Sequence, residues 1–141
     1  MKRPTPLILT AWFLHAAAWF LPAIKAHDFQ APLPGWKAFR YASCAILPCE
    51  GIQFETPHHA VLSAISVLTT LFFVLWSPWV VLRGSRSLRG FSAWAAATAF
   101  VFNVHWIFIF GSERAELAIG FFLWWFSFLL LAIGLFMSRD A

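Results

Sequence analysis

The most reactive side chains of this sequence are its two cysteines, Cys44 and Cys49, which lie five positions apart. In an oxidising compartment such a pair closes a disulfide when its α-carbons come within about 7 Å of each other. A ring this small stabilises a fold by roughly 2 kcal/mol, so the predicted bridge mainly holds the shape of one loop. Catalytic redox chemistry is the competing interpretation, but the chain has neither a Cys-x-x-Cys motif nor a second pair to relay electrons.

Three polar residues, His15, Asn103 and His105, stand inside otherwise apolar stretches. At about 1.5 Å of helix rise per residue they fall at similar depths of a bilayer if their stretches span it. A polar side chain at mid-membrane is costly unless it is paired, so we expect an intramembrane polar cluster. We favour an interhelical hydrogen bond that sets packing, with a functional site as the alternative. His15 and His105 match the geometry of bis-histidine haem binding only approximately.

A second group of histidines flanks the start of the second apolar stretch. His58 and His59, with Glu55 or with His27 and Asp28, supply the ligand types that bind zinc or copper. Adjacent histidines at a helix start usually point in different directions, so we favour solvated interface residues over a metal site. The sequence contains no phosphate-binding loop, nucleophile elbow or zincin motif.

The composition indicates where these residues lie. Of the 141 residues, 61% are hydrophobic and 19% aromatic, and only 11% are charged. Charged residues alone make up about a quarter of an ordinary soluble domain. A chain this short has no interior large enough to hide so much apolar surface, so the excess must face lipid.

Long stretches without Asp, Glu, Lys or Arg predict the membrane spans. Crossing a hydrocarbon core of roughly 30 Å takes about 20 residues of helix. We therefore predict an all-α polytopic membrane protein of one domain, residues 1–141, built as an antiparallel bundle of four transmembrane helices. The predicted spans are about 6–24, 57–82, 91–110 and 113–137.

The outer loop, residues 25–56, is too long for a simple connection and should contain structure of its own. From Trp36 to Ile46 the apolar positions keep helical spacing, with Trp36 and Phe39 on the apolar face. This pattern predicts a short amphipathic helix at the membrane interface, which Pro48 should end.

Small and hydroxyl-bearing residues repeat with heptad spacing along two spans. They are Ser63, Ser66, Thr70 and Ser77 in the second span, and Gly120, Ser127 and Gly134 in the fourth. Helices in lipid associate through small residues and interhelical hydrogen bonds, so these stripes predict helix contacts and leave the bulky Phe and Trp residues largely for lipid. Trp124 and Trp125 lie near the middle of the fourth span, where an indole N–H prefers a partner. Asn103 or His15 is the expected partner.

Lys and Arg residues near the span ends predict the orientation. Arg83, Arg86 and Arg89 occupy a short connection without acidic residues, and Lys2 and Arg3 precede the first span. Cytoplasmic loops carry an excess of such residues, so we predict that both termini and the three arginines are cytoplasmic. We interpret the arginines as topology anchors rather than as a lipid site or a nucleic-acid site.

One segment and one loop dipeptide carry a resemblance to known proteins. Gly120, Leu123, Trp124 and Ser127 lie within IGFFLWWFSFLLLAIG, and Gly35 is followed by Trp36 in the outer loop. These residues resemble a loose group of uncharacterised four-span membrane proteins of the bacterial inner membrane. The resemblance covers mainly the last helix, and it implies that location and no activity.

The leading functional prediction is a non-enzymatic membrane protein: an accessory or assembly subunit, or an interaction partner in a membrane complex. Seams of small residues suit association with another membrane protein or with a second copy. We expect no cofactor and no nucleic acid. The first alternative is a membrane oxidoreductase that uses quinone or haem with the outer-loop cysteines, an outline similar to the quinone-linked disulfide-generating enzymes of bacterial inner membranes. The second is a small-molecule carrier that works as an oligomer.

Overall fold

The computed structural model describes residues 6–25, 31–54, 56–109 and 117–140. This part of the chain is mostly helical. In chain order the elements are α1 (Pro6–Phe20), β1 (Pro22–Ile24), β2 (Leu33–Pro34), α2 (Gly35–Ser43), α3 (Pro57–Leu71), a π-helical segment (Phe72–Trp76), α4 (Ser77–Arg83), α5 (Arg86–Phe102), α6 (His105–Ile109) and α7 (Ile119–Asp140).

Three continuous helical stretches are long and apolar enough to cross a membrane. They are Pro57–Arg83, Arg86–Phe108 and Ile119–Ser138, with mean hydropathies of 2.0, 1.3 and 2.2. Their length and composition indicate a membrane protein. The apolar helix α1 is shorter, at 15 residues.

Helix α1 ends at Phe20, so the prediction that one helix covers residues 6–24 is wrong at its end. Pro22 explains the difference, because the residue before a proline is driven out of the α-helical region. The chain continues as β1, which pairs antiparallel with β2. Ile24 also forms a β-bridge with Leu117, just before α7. The all-α prediction did not include this small sheet.

The second long stretch begins where the sequence predicted. The Thr56 side chain accepts a hydrogen bond from the backbone N–H of His59 at 3.2 Å, and Pro57 occupies the first turn. The π-helical segment comes shortly before Pro78, which lacks an N–H and crowds the preceding turn. The Ser77 hydroxyl donates to the carbonyl oxygen of Phe73 at 2.6 Å and so satisfies one backbone group of the widened turn.

The third long stretch begins at Arg86, five residues before the predicted start at residue 91. Ser85 caps it by accepting a hydrogen bond from the backbone N–H of Leu88 at 3.3 Å. The connection from α4 is therefore only Gly84 and Ser85. Arg86 and Arg89 lie in the first turns of α5 and not in a loop, so the prediction of a loop that holds all three arginines is wrong.

Helix α7 begins at Ile119, and its predicted start at residue 113 is also wrong. Leu117 is held in the β-bridge to Ile24, and the backbone N–H of Ala118 donates to the carbonyl oxygen of Ala23 at 2.9 Å. These contacts keep the chain extended up to the helix. The predicted turn around Gly111 and Ser112 lies outside the described residues.

The predicted loop helix is present as α2, but it ends at Ser43 and not at Ile46. The turn that follows reaches the disulfide at Cys44. Phe39 packs toward the bundle and contacts Trp19, with ring centroids 5.2 Å apart. Trp36, in the first turn of α2, is 42% exposed.

The buried core lies mainly along α7. This helix packs most extensively against α1 and against α5, whereas α3 makes few close approaches to the other long helices. The α5 face that meets the core is formed by alanines, and small side chains let helix backbones approach closely. The fully or nearly fully buried core residues are Ile8, Ala11, Phe73, Val80, Ala93, Ala96, Ala99, Phe128, Leu131, Ala132 and Leu135.

Candidate functional site

Indole N–H groups connect the helices away from the outer loop. Trp12 in α1 donates to the Ser77 hydroxyl at 3.0 Å, and Trp76 donates to the Ser92 hydroxyl of α5, also at 3.0 Å. Both serine side chains are fully buried. An indole combines a large apolar surface with one donor, so each contact both fills space and satisfies a polar group.

Three more indoles donate hydrogen bonds between helices, closer to the end of the bundle that α2 covers. Trp106 donates to Ser66 at 2.8 Å, and Trp124 donates to Thr70 at 3.0 Å. Trp125 donates to the carbonyl oxygen of Phe100 at 2.7 Å. Three of the four residues of the hydroxyl stripe, Ser66, Thr70 and Ser77, therefore make helix contacts, as predicted. Neither indole bonds Asn103 or His15, so the partners expected for Trp124 and Trp125 were wrong.

His15 occupies the centre of the bundle. Its Nδ1 lies 2.9 Å from the Ser127 hydroxyl, which donates its single proton to the Trp124 carbonyl at 2.6 Å. Nδ1 then carries the imidazole proton and donates it to Ser127. The ring stacks on Phe73 with centroids 3.9 Å apart. The buried Nε2 has no hydrogen-bond partner among the described residues.

Asn103 and His105 belong to other networks. The Asn103 Oδ1 accepts from Ser66 at 2.7 Å, and its Nδ2 donates to Thr69 at 3.1 Å and to the Ala99 carbonyl at 2.8 Å. His105 Nδ1 bonds the carbonyl oxygen of Phe102 at 2.7 Å. Within the described ranges no hydrogen bond joins any two of the three predicted cluster residues. A functional role for them stays a prediction.

The structure joins Cys44 and Cys49 in a disulfide whose α-carbons are 5.2 Å apart. Cys44 is 6% exposed, so one of the two sulfurs is shielded from solvent. The bridge closes the turn that follows α2. This turn presents two exposed apolar side chains, Ile46 at 44% and Leu47 at 72% exposure.

The proposed metal ligands are only partly described. His58 is exposed at the start of α3, and the backbone of His59 takes part in the Thr56 cap. Glu55, His27 and Asp28 lie outside the described residues. In the ranges that the structure covers, no group of three His, Cys, Asp or Glu side chains converges on one point. The metal site stays a prediction.

The three arginines differ from one another. Arg83 and Arg86 are exposed, whereas Arg89 is only 7% exposed. The Arg89 guanidinium donates to the Val81 carbonyl at 3.1 Å and to the Ser138 carbonyl at 3.4 Å. Both carbonyls lie in the last turns of their helices, where backbone acceptors lack partners and a cation is favoured. Arg89 therefore holds two helix ends together, a role that the sequence did not reveal.

A cavity of about 280 Å³ lies at the end of the bundle beneath α2 and the β pair. We call it the loop-end cavity. Side chains from α1, α2, α3, α6 and α7 contribute to its wall. Its lining residues are Ala18, Trp19, Ala23, Ile24, Leu33, Gly35, Ala38, Phe39, Tyr41, Ala42, Ile52, Gln53, Phe54, Ser63, Ser66, Val67, Thr70, Trp106, Leu117, Gly120, Phe121 and Trp124. The sequence does not reveal this cavity, because it forms between segments far apart in the chain.

Two glycines bring the chain segments around this cavity close together. A Cβ on Gly120 would lie 2.7 Å from the carbonyl oxygens of both Leu21 and Pro22, and a Cβ on Gly35 would collide with the Ala18 carbonyl. The Gly35 N–H also donates to the Leu21 carbonyl at 3.1 Å. Only glycine lets α2 and α7 approach the end of α1 this closely.

Comparisons of the chain with protein-family models, with curated proteins and with solved structures found no match. The glycines at 35 and 120 are among the residues that carry the resemblance to small four-span bacterial membrane proteins. Their tight packing gives a structural reason for glycine at both positions. The resemblance itself stays a prediction.

Proposed function

We propose that this chain is a four-span protein of the bacterial inner membrane that acts without catalysis, as an accessory or assembly subunit of a membrane complex. Three spans correspond to the long apolar helices. The fourth consists of α1 and the extended residues that follow it.

The reach of the first segment supports its role as a span. The 15 residues of α1 extend about 22 Å at about 1.5 Å per residue. The extended residues 21–24 add about 13 Å at roughly 3.3 Å each. Together they match a hydrocarbon core of roughly 30 Å. The close packing of α1 along α7 supports the same depth in the membrane.

The order of contacts supports an antiparallel bundle. Where two spans pack against each other, the numbers of the contacting residues rise along one helix while they fall along the other. The pairs are Trp76–Ser92 and Trp106–Ser66 between the second and third spans, Trp94–Phe136 and Phe100–Trp125 between the third and fourth, and His15–Ser127 and Ile24–Leu117 between the first and fourth.

The charges support an orientation with both termini in the cytoplasm. Arg83 and Arg86 are exposed at the end of the bundle opposite the loop-end cavity, and no acidic residue separates them. The short connection between them favours retention on the cytoplasmic side. The cavity and the disulfide then face the periplasm, an oxidising compartment.

The observation that carries the accessory role is the disulfide-closed turn after α2. It holds Leu47 at 72% exposure and Ile46 at 44% exposure on a covalently restrained turn. Exposed apolar side chains on an ordered turn suit contact with another membrane protein or a second copy, because little ordering entropy opposes binding. In the spans, His15, Asn103, Ser66 and Thr70 are engaged in helix contacts, which supports a structural use of these polar groups.

Purification from native membranes tests this role. The tagged chain, extracted in a mild detergent, should carry a stoichiometric protein partner, or a second copy of itself. Leu47→Gln should remove that partner, because it makes the apolar contact polar. Leu82→Gln is the matched control, since Leu82 is 43% exposed at the opposite end of the bundle. Purification of the wild-type chain as a lone monomer, or equal yields of the partner with both variants, contradicts the proposal.

The same preparation distinguishes the oxidoreductase alternative. An accessory subunit absorbs only in the aromatic band. A haem or quinone band in the purified protein would favour the membrane oxidoreductase over the accessory role.

A further inference from the structure

The wall of the loop-end cavity is apolar and uncharged. Among the lining residues that the structure describes there is no Asp, Glu, Lys, Arg or His. Aromatic rings and small aliphatic side chains form most of the surface, with Phe39 of α2 on one side and Trp106 and Trp124 on the other. An ionised ligand would find no counter-charge here, so the cavity suits an uncharged, lipophilic one.

One hydroxyl in the wall is left without a partner. Ser63 is 3% exposed and lines the cavity, and no described group shares a hydrogen bond with it. The hydroxyls of Ser66 and Thr70 are engaged: Ser66 donates to Asn103, and Thr70 donates to the carbonyl of Ser66. The Ser63 hydroxyl can therefore donate to an acceptor that enters the cavity.

The architecture maintains the space. Helix α3 makes few close approaches to α1, α5 and α7, and the indoles of Trp106 and Trp124 cross the gap to its hydroxyls instead. Helix α2 covers the outer end. A volume of about 280 Å³ lies at the lower limit of ligand sites, roughly 300 Å³, so a whole two-chain phospholipid does not fit inside.

From these features we infer that the loop-end cavity binds a single acyl chain that ends in an uncharged carbonyl group, with the Ser63 hydroxyl donating to the carbonyl oxygen. The chain occupies the apolar wall between α2 and α3. An ester or amide satisfies the hydroxyl without bringing a charge, whereas the carboxylate of a free fatty acid would be buried unpaired. This site does not depend on the accessory role. The chain belongs either to a bilayer lipid or to a separate single-chain molecule.

Tryptophan fluorescence provides the test, because three tryptophans line the cavity. The full-length protein in nonionic detergent is titrated with a monoacylglycerol whose acyl chain is brominated, since bromine quenches nearby indoles. The inference predicts saturable quenching. Val67→Phe fills the cavity and should abolish the saturable component. Val61→Phe is the same change in the same helix at a site that is 59% exposed, and it should leave binding unchanged.

Ser63→Ala keeps the space and removes only the donor. It should weaken binding by about two- to ten-fold, the range expected for one hydrogen bond. Circular dichroism and the thermal midpoint verify that each variant is folded. A brominated diacyl phosphatidylglycerol forms the second arm: saturation by both probes identifies a bilayer lipid chain, and saturation by the monoacyl probe alone identifies a single-chain molecule.

Three results would overturn the inference. The first is quenching of the wild-type protein that rises linearly with either probe and does not saturate. The second is equal binding by the Val67→Phe and Val61→Phe variants. The third is unchanged affinity in folded Ser63→Ala, which would remove the hydroxyl from the site.

Discussion

The hydrogen bond from Trp124 to Thr70 joins α7 to α3, and its removal measures what the hydroxyl stripe contributes to the packing of these helices. The indole nitrogen and the hydroxyl oxygen are 3.0 Å apart, and Thr70 is 3% exposed. Thr70→Val keeps the shape of the side chain and removes the acceptor. Trp124→Phe removes the donor, together with part of the ring.

A double-mutant cycle separates the hydrogen bond from the lost ring volume, because the packing cost of Trp124→Phe appears with and without the Thr70 hydroxyl. Interhelical hydrogen bonds in membrane proteins contribute about 0.6 kcal/mol on average and up to about 1.7 kcal/mol. The short distance and the buried acceptor place this bond in the upper half of that range. We expect a coupling free energy of about 1 kcal/mol.

The assay is equilibrium unfolding by SDS in mixed micelles, followed by far-ultraviolet circular dichroism, which does not depend on the mutated tryptophan. The control cycle pairs Trp124→Phe with Ser92→Ala, since Ser92 accepts its hydrogen bond from Trp76. Distant pairs are additive to within about 0.3–0.5 kcal/mol. A Trp124–Thr70 coupling no larger than that of the control cycle would refute the role assigned to the stripe.

Three further changes probe other contacts, each by the free energy of unfolding in the same micelles. Gly120→Ala should lower the free energy of unfolding by about 1–3 kcal/mol, because the added methyl lies 2.7 Å from two carbonyl oxygens. An unchanged free energy would contradict the tight packing of α7 against the end of α1. Reduction of the Cys44–Cys49 bridge should cost about 2 kcal/mol at most and leave the helical content intact, and loss of helix on reduction would contradict this. Arg89→Met should cost about 2 kcal/mol and Arg86→Met nearly nothing, since only the first removes bonds to helix-end carbonyls; equal effects would disprove the capping role.

Local signals predicted the parts of the fold that depend on neighbouring residues. The cap at Thr56 and the proline after it placed the start of α3 correctly. Pro22 carried an equally local signal for the end of α1, which the prediction overlooked because the stretch stays apolar to Ile24. Absence of charge thus indicates what can enter lipid, and it does not indicate where the helix stops.

Other features depend on contacts between distant segments and leave no local pattern. The start of α7 is delayed because Leu117 pairs with Ile24, which lies beyond the end of α1. Arg89 looks like its exposed neighbour Arg86 in the sequence, and only the approach of α4 and α7 gives it partners. The loop-end cavity belongs to the same class, since most of its wall comes from separate helices.

The tryptophan contacts could be predicted from the sequence only in part. The hydroxyl stripe was recognised from heptad spacing, and the need of a mid-membrane indole for an acceptor followed from its chemistry. The two were not connected, because depth alone does not specify which helix faces which. In the structure the indole donors bond the hydroxyl acceptors of the stripe, as Trp106 does with Ser66.

Site-specific labelling measures most directly whether this chain crosses the bilayer in the proposed direction. Gln53→Cys and Ser87→Cys place single reactive thiols at exposed positions on opposite ends of the bundle, and the unaltered chain, with its cysteines bridged, is the blank. A membrane-impermeant maleimide is added to bacteria whose outer membrane is permeable. It should modify the Gln53→Cys variant in intact cells, and the Ser87→Cys variant only after the inner membrane is broken. Labelling of both positions before lysis, or of position 87 alone, would contradict the account.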